Sequence, residues 1–191
     1  HSFFVSLGAR VEGIVITGTS SYMGSGLQIY NNMIYDLNNS SSSGNAYICG
    51  IDSWYNNNTL ITYNTVQISG TGANPLGTYA LGVDVGSTNF TLRNNILVNA
   101  YNQTAGGSSF ALWVAAGNTF TSDFNDLYIN STLPNSYIGH FNSDYRTLSA
   151  WQNIGKDLHS FSDMPEFISP DDLHINTLIP TYLESGGTPV T

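Results

Sequence analysis

An asparagine recurs in this chain at an almost constant interval, and this repeat constrains the fold more than any other feature of the sequence. Its members are Asn32, Asn64, Asn95 and Asn125, so the interval is roughly 30 residues throughout. They lie in the segments LQIYNNMIYDL, TLITYNTVQIS, FTLRNNILVNA and FTSDFNDLYIN. The positions three before and two after each asparagine are apolar, apart from Ser122 in the last segment. Agreement of several columns at once argues against coincidence in an asparagine-rich chain.

A second repeated strand precedes the first in each period. The segments YICGIDS from Tyr47, YALGVDV from Tyr79 and FALWVAA from Phe110 align at the same near-constant interval, and GIVITG from Gly13 is an earlier partner. Alternation within them predicts that one set of side chains faces inward: Cys49, Ile51 and Ser53, then Leu81, Val83 and Val85, then Leu112, Val114 and Ala116.

Two short strands per period of about 30 residues, with Gly/Ser-rich connections and no helical pattern, indicate a β-solenoid. We expect successive coils to stack about 4.8 Å apart in parallel hydrogen-bonded sheets. The asparagine column then marks a corner, because asparagine tolerates left-handed backbone angles better than most residues. Its amide both donates and accepts, so stacked asparagines can bond to one another and to the corner backbone.

The segments LQIYNNMIYD, TLRNNILVN and SDFNDLYIN resemble the coils of right-handed parallel β-helix proteins of the pectate-lyase-like superfamily. The tail, TLSAWQNIGKDLHSFSDMPEF followed by DDLHI and PTYLESGGTP, resembles the closing segment of secreted bacterial β-helix repeat proteins, although Thr181 and Tyr182 stand where those proteins often have Ser-Pro. The resemblance covers residues 27–187. It implies an all-β, right-handed parallel β-helix, but the superfamily holds lyases, hydrolases, adhesins and scaffolds, so it implies no single activity.

The predicted organisation is one β-helix domain over residues 1–191. Repeated coils fill residues 1–145, and a short helix with an irregular C-terminal cap fills residues 146–191. Thr147 is a suitable N-cap for a helix over residues 148–153 that Gly155 ends. Because the chain opens at His1 and not at Met, we expect a piece of a longer or processed precursor.

Charge excludes several classes of partner. The net charge is −9, and the basic residues number four: Arg10, Arg93, Arg146 and Lys156. Such a chain cannot neutralise a row of phosphates, so nucleic acid is excluded and anionic lipid surfaces are disfavoured. No apolar run approaches about 18 residues, so no membrane insertion is expected.

Composition favours an extracellular or cell-surface protein. The chain is rich in Asn, Ser, Thr and Gly, and only 9% of its residues are charged. Cys49 is the single cysteine, which rules out an internal disulfide and predicts a buried, inert thiol. Six sequons, a number that chance alone could produce, are candidate N-glycosylation sites: Asn38, Asn39, Asn57, Asn89, Asn102 and Asn130.

Candidate site residues occupy the outward positions of the second strand. The alignment puts Gly50, Gly82 and Trp113 in one register, and it puts Asp52, Asp84 and Ala115 in the next. Trp113 would face solvent beside glycine surface, where its indole could stack on a sugar ring. The alternative is an aromatic side chain that covers glycine backbone, or one that a loop or partner buries.

Asp52 and Asp84 would lie about 5 Å apart on adjacent coils. Retaining glycosidases separate their two carboxyl groups by about that distance, and such a pair is also a weak candidate for binding Ca²⁺. A solvated pair at an exposed surface is the simpler interpretation. His140, His159 and His174 are irregularly spaced in the tail, which favours hydrogen bonding in the cap over a metal triad.

The favoured hypothesis is a non-catalytic extracellular β-helix that acts as a structural, surface or self-assembling, fibre-forming protein. It expects no catalytic residue and no cofactor, with Ca²⁺ the one alternative. Its partners would be further copies or the flanking domains of a longer chain. The rival hypotheses are a polysaccharide-active hydrolase or lyase, and a carbohydrate-binding module, each using Asp52, Asp84 and Trp113. A lyase on acidic glycans has little support, since no basic cluster is present.

Overall fold

The apolar columns of the sequence become stacked parallel strands. The structure is a computed structural model that describes residues 10–39, 44–74, 76–104, 106–130 and 132–189. It is a parallel β-solenoid of about four turns, which confirms the predicted all-β class and the stacking of coils. His1 and the other residues before Arg10, predicted to begin the first coil, lie outside the described residues.

Most strands are short, because each coil turns several corners. In chain order they are β1 (Arg10–Thr17), β2 (Gly24–Ser25), β3 (Gln28–Tyr30), β4 (Met33–Ile34), β5 (Tyr47–Trp54), β6 (Asn56–Asn57), β7 (Leu60–Thr62), β8 (Thr65–Ile68), β9 (Thr71–Gly72), β10 (Gly77–Val83), β11 (Phe90–Arg93), β12 (Ile96–Asn99), β13 (Asn102–Gln103), β14 (Ser109–Val114), β15 (Phe120–Asp123), β16 (Asp126–Ile129), β17 (Ser136–His140), β18 (Asp144–Tyr145), β19 (Phe167–Ser169) and β20 (Asp172–Ile175). An α-helix, α1 (Leu148–Gln152), and a 3₁₀ turn (Tyr182–Ser185) belong to the C-terminal cap.

Three sheets run along the solenoid in the described part of the chain. The long sheet has the order β1-β5-β10-β14-β17-β18, and the two sheets that flank the asparagine column have the orders β3-β7-β11-β15 and β4-β8-β12-β16. Pairing between their coils is parallel. The long connections also stack, since β9 pairs with β13. Inward apolar residues of all three sheets form one core along the axis.

Each asparagine of the column bonds to the next, and we call this set the asparagine ladder. The side-chain Nδ2 of Asn32 donates to Oδ1 of Asn64 at 2.9 Å, and Asn64 and Asn95 repeat the bond to their followers at 3.1 Å each. Each Oδ1 also accepts the backbone N–H of the preceding asparagine, at 3.0–3.2 Å. The ladder therefore satisfies polar groups that the corner removes from the strand pairing.

The left-handed residue of each corner is the one before the ladder asparagine, not the asparagine itself as the sequence suggested. Asn31, Tyr63, Asn94 and Phe124 have φ of 58°, 56°, 56° and 58°. An asparagine is not required there, because two of the four are aromatic. The ladder position is instead selected by its hydrogen bonds.

The cap ends the ladder with groups that suit its last member. Asn125 donates its Nδ2 to Oδ1 of Asp157 at 2.8 Å and its backbone N–H to Oγ of Ser160 at 2.8 Å. Trp151, fully buried on α1, donates its indole N–H to the other carboxylate oxygen of Asp157 at 2.7 Å. As predicted, Thr147 caps this helix by accepting from the N–H of Ala150. Among the described residues, none of the helices has the length and apolar character that crossing a membrane requires.

The register of the long sheet differs from the sequence alignment between β5 and β10. Cys49 pairs with Tyr79, and Asp52 pairs with Gly82, whereas Tyr47 pairs with Gly77. The alignment from β10 to β14 is correct, since Gly82 pairs with Trp113. The matching letters of YICGIDS and YALGVDV therefore do not stack on one another.

Strict alternation also breaks at the middle of β5. A Cβ on Gly50 would lie 2.2 Å from Cγ1 of Val66 in the core, and the next residue, Ile51, is fully buried in that core as well. Two successive residues thus face inward, and the strand changes phase. Cys49, predicted to face inward, lies on the outer side, where its thiol lines a pocket with Asp52.

Candidate functional site

A row of four different residues crosses the outer face of the long sheet. Asp52, Gly82, Trp113 and His140 pair in succession on β5, β10, β14 and β17. Neighbouring parallel strands lie about 4.8 Å apart, so Asp52 and Trp113 flank Gly82 at a separation of roughly 10 Å. Glycine has no side chain, and the row is therefore open between a carboxylate and an indole.

This opening is the centre of a cavity of about 170 Å³, which we call the outer pocket. Its lining residues are Arg10, Tyr47, Cys49, Asp52, Trp54, Leu76, Tyr79, Gly82, Asp84 and Trp113. Pockets for drug-sized ligands are typically about 300–1,000 Å³. The outer pocket therefore suits one small ring or the end of a longer ligand.

Asp52 forms one wall of the outer pocket. Its residue exposure is 4%, and its Oδ2 accepts hydrogen bonds from the Trp54 indole N–H at 2.7 Å and from the Tyr47 hydroxyl at 2.9 Å. Burial raises the pKa of Asp52 to about 6, and the Glu12 carboxyl acts in the same direction, while the two donors oppose the rise. Oδ1 lies toward the opening, 3.3 Å from where a Cβ on Gly82 would stand.

Tyr47 connects this wall to the first coil. Its hydroxyl also hydrogen-bonds to Oε1 of Glu12 on β1. The Arg10 guanidinium lies 5.1 Å from the centre of the Tyr47 ring and 5.3 Å from that of Trp54, so it sits over the aromatic rings at the margin of the outer pocket. Because burial raises the pKa of Tyr47 well above its usual value, the phenol remains a hydrogen-bond donor.

Trp113 forms the opposite wall. The His140 ring stacks on it, with ring centres 5.5 Å apart and an angle of 13° between the planes, and Tyr79 approaches it at 61°. His140 belongs to the following coil and Gly82 to the preceding one. The side of the indole away from His140 borders the opening over Gly82, with the Tyr79 ring beside it, and an indole there is suited to stacking on a ligand.

The structure brings the three sequence-predicted residues Asp52, Asp84 and Trp113 to one pocket, but it does not pair the two carboxylates. Val83 pairs with Ser53, so Asp84 lies beside Trp54 and not beside Asp52. Oδ1 of Asp84 accepts the N–H of Val85 at 2.6 Å. The prediction of two facing carboxylates on adjacent coils is thus wrong, because the register is shifted.

Metal binding has no cluster to support it in the described ranges. No group of three or more His, Cys, Asp and Glu side chains there could hold an ion. The three tail histidines are separate: each places its Nδ1 beside one aspartate, namely His140 with Asp144, His159 with Asp123, and His174 with Asp172. Cys49 is buried, and burial raises the pKa of its thiol well above the usual value, which leaves a weak nucleophile.

Tyr47, Trp54 and Tyr79 also line the outer pocket, and no repeat in the sequence identifies them as pocket residues. The number of residues between a strand residue and its ladder asparagine indicates the correct register of the long sheet. Cys49, Tyr79 and Phe110, which pair in the structure, precede their ladder asparagines by nearly equal lengths of chain, whereas Tyr47 lies further before its own. The distance to the ladder therefore varies less in the true register than in the alignment by letters.

Glycosylation stays a prediction, but the structure separates the six sequons. Asn39 is buried, and its Nδ2 donates to the Tyr47 carbonyl at 3.3 Å, which disfavours a glycan there. The other five are less enclosed, and they are Asn38, Asn57, Asn89, Asn102 and Asn130.

Comparison of the chain with protein-family models, with curated proteins and with solved structures gives no match. Function is therefore inferred from the chemistry of the outer pocket.

Proposed function

We propose that this chain is a carbohydrate-binding β-solenoid that holds one sugar ring in the outer pocket without turning it over. One observation carries the proposal: Gly82 leaves a gap between the buried carboxylate of Asp52 and the indole of Trp113. A pyranose presents an apolar C–H face and a rim of hydroxyl groups. The indole matches the first, and the carboxylate oxygen accepts from the second.

Binding is favoured over hydrolysis by the arrangement of acids. Glycosidases need two carboxyl groups on either side of the scissile bond. Here Asp52 faces an indole across the gap, and the carboxylate of Asp84 accepts from its own loop backbone. A second candidate function, hydrolysis, rests on the raised pKa of Asp52, which suits a general acid.

The pocket charges favour a neutral sugar over a uronate. Asp52 and Asp84 line the cavity, while the one guanidinium among its described lining residues, that of Arg10, lies over two aromatic rings. A uronate carboxylate would meet like charges without a dedicated cation.

We also propose the wider setting that the sequence predicted. The solenoid is of the right-handed, pectate-lyase-like type, extracellular or at the cell surface, and structural or self-assembling. Lysine-poor composition supports the location. Assembly is supported by the first coil, where β1 ends the long sheet and pairs only with β5 within the described residues. Sedimentation at millimolar protein with negative-stain imaging tests assembly, and a strictly monomeric species would contradict it.

The binding proposal is tested with neutral oligosaccharides on a glycan array, followed by calorimetry on the best ligand. We expect Trp113→Ala and Gly82→Ala each to weaken binding at least 10-fold, since one removes the platform and the other narrows the gap. Two control variants should bind the sugar with wild-type affinity. Gly44→Ala adds a methyl group in open space, and Tyr22→Ala removes an aromatic ring that is 83% exposed and does not line the pocket.

Three outcomes decide the proposal. Loss of affinity in the two pocket variants with no release of reducing ends supports it. Unchanged affinity in both variants, or no ligand on the array, contradicts it. Release of reducing ends by the wild type, abolished in Asp52→Asn, would replace binding by hydrolysis.

A further inference from the structure

A second cavity lies on the other side of the solenoid, between the ladder corner and the C-terminal tail. This tail groove measures about 340 Å³, within the range of small-molecule sites. Aromatic and apolar side chains form much of its lining, including Tyr63, Phe124, Phe161 and Leu183. Its wall is held in place by the tail, since Asn94 exchanges two hydrogen bonds with the backbone of Thr188, at 2.6 and 2.8 Å.

Asp126 lies in this lining and is the one acidic residue among the described members of its register. It follows Ile96 of the previous coil, which follows Thr65. Its exposure is 1%, and its Oδ1 accepts the backbone N–H of Asp163 at 3.0 Å. Its Oδ2 is buried and has no hydrogen-bond partner in the described part of the chain. A buried carboxylate oxygen without a donor is costly, and such an atom in a cavity wall indicates a missing partner.

The lining of the tail groove narrows the chemistry of that partner. Among the residues that the structure describes, no Lys, Arg or His lines it. A metal ion would need several oxygen ligands, and the described residues hold no group of three acidic or metal-binding side chains. A carboxylate among aromatic rings is instead the environment that attracts an organic cation, because the ring faces and the carboxylate both favour positive charge.

We propose that the tail groove is a binding site for a small organic ammonium group, with Asp126 as its anionic partner. The positive charge of the ligand lies beside the Asp126 carboxylate in the groove wall, and its alkyl part packs between Phe161 and Leu183. This site is independent of the outer pocket, which lies on the long sheet.

Ionisation of Asp126 and of the ligand amine determines the pH at which binding is strongest. Burial raises the pKa of Asp126 to about 8, and the neighbouring Asp163 carboxylate acts in the same direction. An alkylammonium stays protonated to about pH 10.4. Tyr63 also lines the groove, and Arg93 and His159 lie against the Phe124 ring. Affinity therefore rises as the pH increases from 6 to about 9, where the carboxylate is ionised and the amine is still charged.

The test is a titration of the full chain with n-butylammonium at pH 9, monitored by NMR and calorimetry, with n-butanol as the neutral probe of similar shape. We expect butylammonium to bind at least 10-fold more tightly than butanol, and Asp126→Asn to remove that preference. The asparagine retains an acceptor for the Asp163 N–H, so the variant keeps the local backbone contact. Circular dichroism verifies its fold.

A glycine pair supplies a second, independent variant. A Cβ on Gly186 would lie 2.4 Å from the Phe161 ring, whereas one on Gly187 would make an ordinary contact at 3.4 Å with Asn94. We expect Gly186→Ala to displace the tail and weaken butylammonium binding, and Gly187→Ala, which also lines the groove but makes no collision, to weaken it less. The proposal is overturned if butanol binds equally well, if Asp126→Asn binds as the wild type does, or if no butylammonium binding occurs at pH 9. Gly82→Ala should leave amine binding unchanged, which separates this result from that of the sugar site.

Discussion

The asparagine ladder and the Asp52–Gly82–Trp113–His140 row are built by the same stacking of coils but have opposite properties. In the ladder one residue type repeats, and every coil gives its neighbour the hydrogen-bond partner that it needs. In the row each coil contributes a different residue, so the neighbours leave a gap, an indole at its edge and a carboxylate with a raised pKa.

The difference shows how a solenoid separates stability from function. Repetition makes a column self-sufficient, because donors and acceptors match along the axis. Variation along a column on the outer face leaves groups that a ligand can satisfy. In a solenoid, columns of unlike residues are therefore the places to search for sites.

The largest effect should follow from breaking the ladder in its middle. Asn95→Ala leaves buried partners on Asn64, on Asn125 and on the Ile61 carbonyl without their bonds. We expect a loss of about 4 kcal/mol in the free energy of unfolding, measured by urea denaturation. Asn32→Ala, at the part-buried first rung, should cost only about 1 kcal/mol. Equal losses at the two positions would show that the ladder does not act through burial.

The second prediction concerns the end of the ladder. The Asp157 carboxylate accepts from Asn125, Trp151 and Ser160. Asp157→Ala should cost about 3 kcal/mol, because three donors lose their acceptor. Asp157→Asn retains one acceptor oxygen and should recover part of that loss. Denaturant midpoints that do not distinguish alanine from asparagine would contradict this terminating role.

The third prediction concerns Asp52 and depends on pH. The pKa of Asp52 is about 6 in the folded protein and near its ordinary acidic value in the unfolded chain. The folded state then binds more protons between about pH 4 and 6, so stability is highest below that range and falls as the pH rises through it, by on the order of 2–3 kcal/mol. Thermal unfolding from pH 4 to 8 should show this fall in the wild type and a smaller one in Asp52→Asn. A steeper fall in the variant would be the contrary result.

The smallest effect on stability is expected at Gly82. Its Cβ would meet the Asp52 carboxylate and the Cys49 thiol at 3.3 Å, and both can shift slightly toward the pocket. Gly82→Ala should cost less than about 1 kcal/mol. Gly50→Ala on the inner side should cost about 3 kcal/mol or more, because its Cβ would collide with Val66 and with the Ala80 carbonyl. Thermal unfolding of the two variants in parallel checks the contrast.

The same contrast explains what the sequence could predict. The ladder register follows from spacing alone, since a repeated residue marks its own neighbours in the stack. The register of β5 against β10 could not be found by matching letters, because Tyr47 and Asp52 resemble Tyr79 and Asp84 without pairing with them. Distance to the ladder was the better guide, and it reflects the nearly fixed length of chain between the two sheets.

Other parts of the sites depend on contacts that no local pattern contains. The cavity over Gly82 requires residues from β1, β5, β10 and β14 at once. Asp126 shares its groove with Leu183, which comes from the far end of the chain. The residues on either side of Asp126 in the sequence, Asn125 and Leu127, indicate only a corner and a core position. Sequence patterns identify the repeated strands and the ladder, whereas the two cavities can be found only from the three-dimensional structure.

The ladder also has a direction. Each side-chain bond between asparagines runs from the Nδ2 of one coil to the Oδ1 of the next coil toward the C-terminus, and this chain of bonds stops at Asp157, whose carboxylate oxygen accepts from Asn125. Asp157 contacts only the last asparagine of the ladder, so its hydrogen bonds do not depend on how many asparagines precede that one. Duplicating one whole coil before Asp157 should lengthen the solenoid by about 4.8 Å for each added coil, with the C-terminal cap unchanged. The number of coils and the structure of the C-terminal cap can therefore be changed independently of each other.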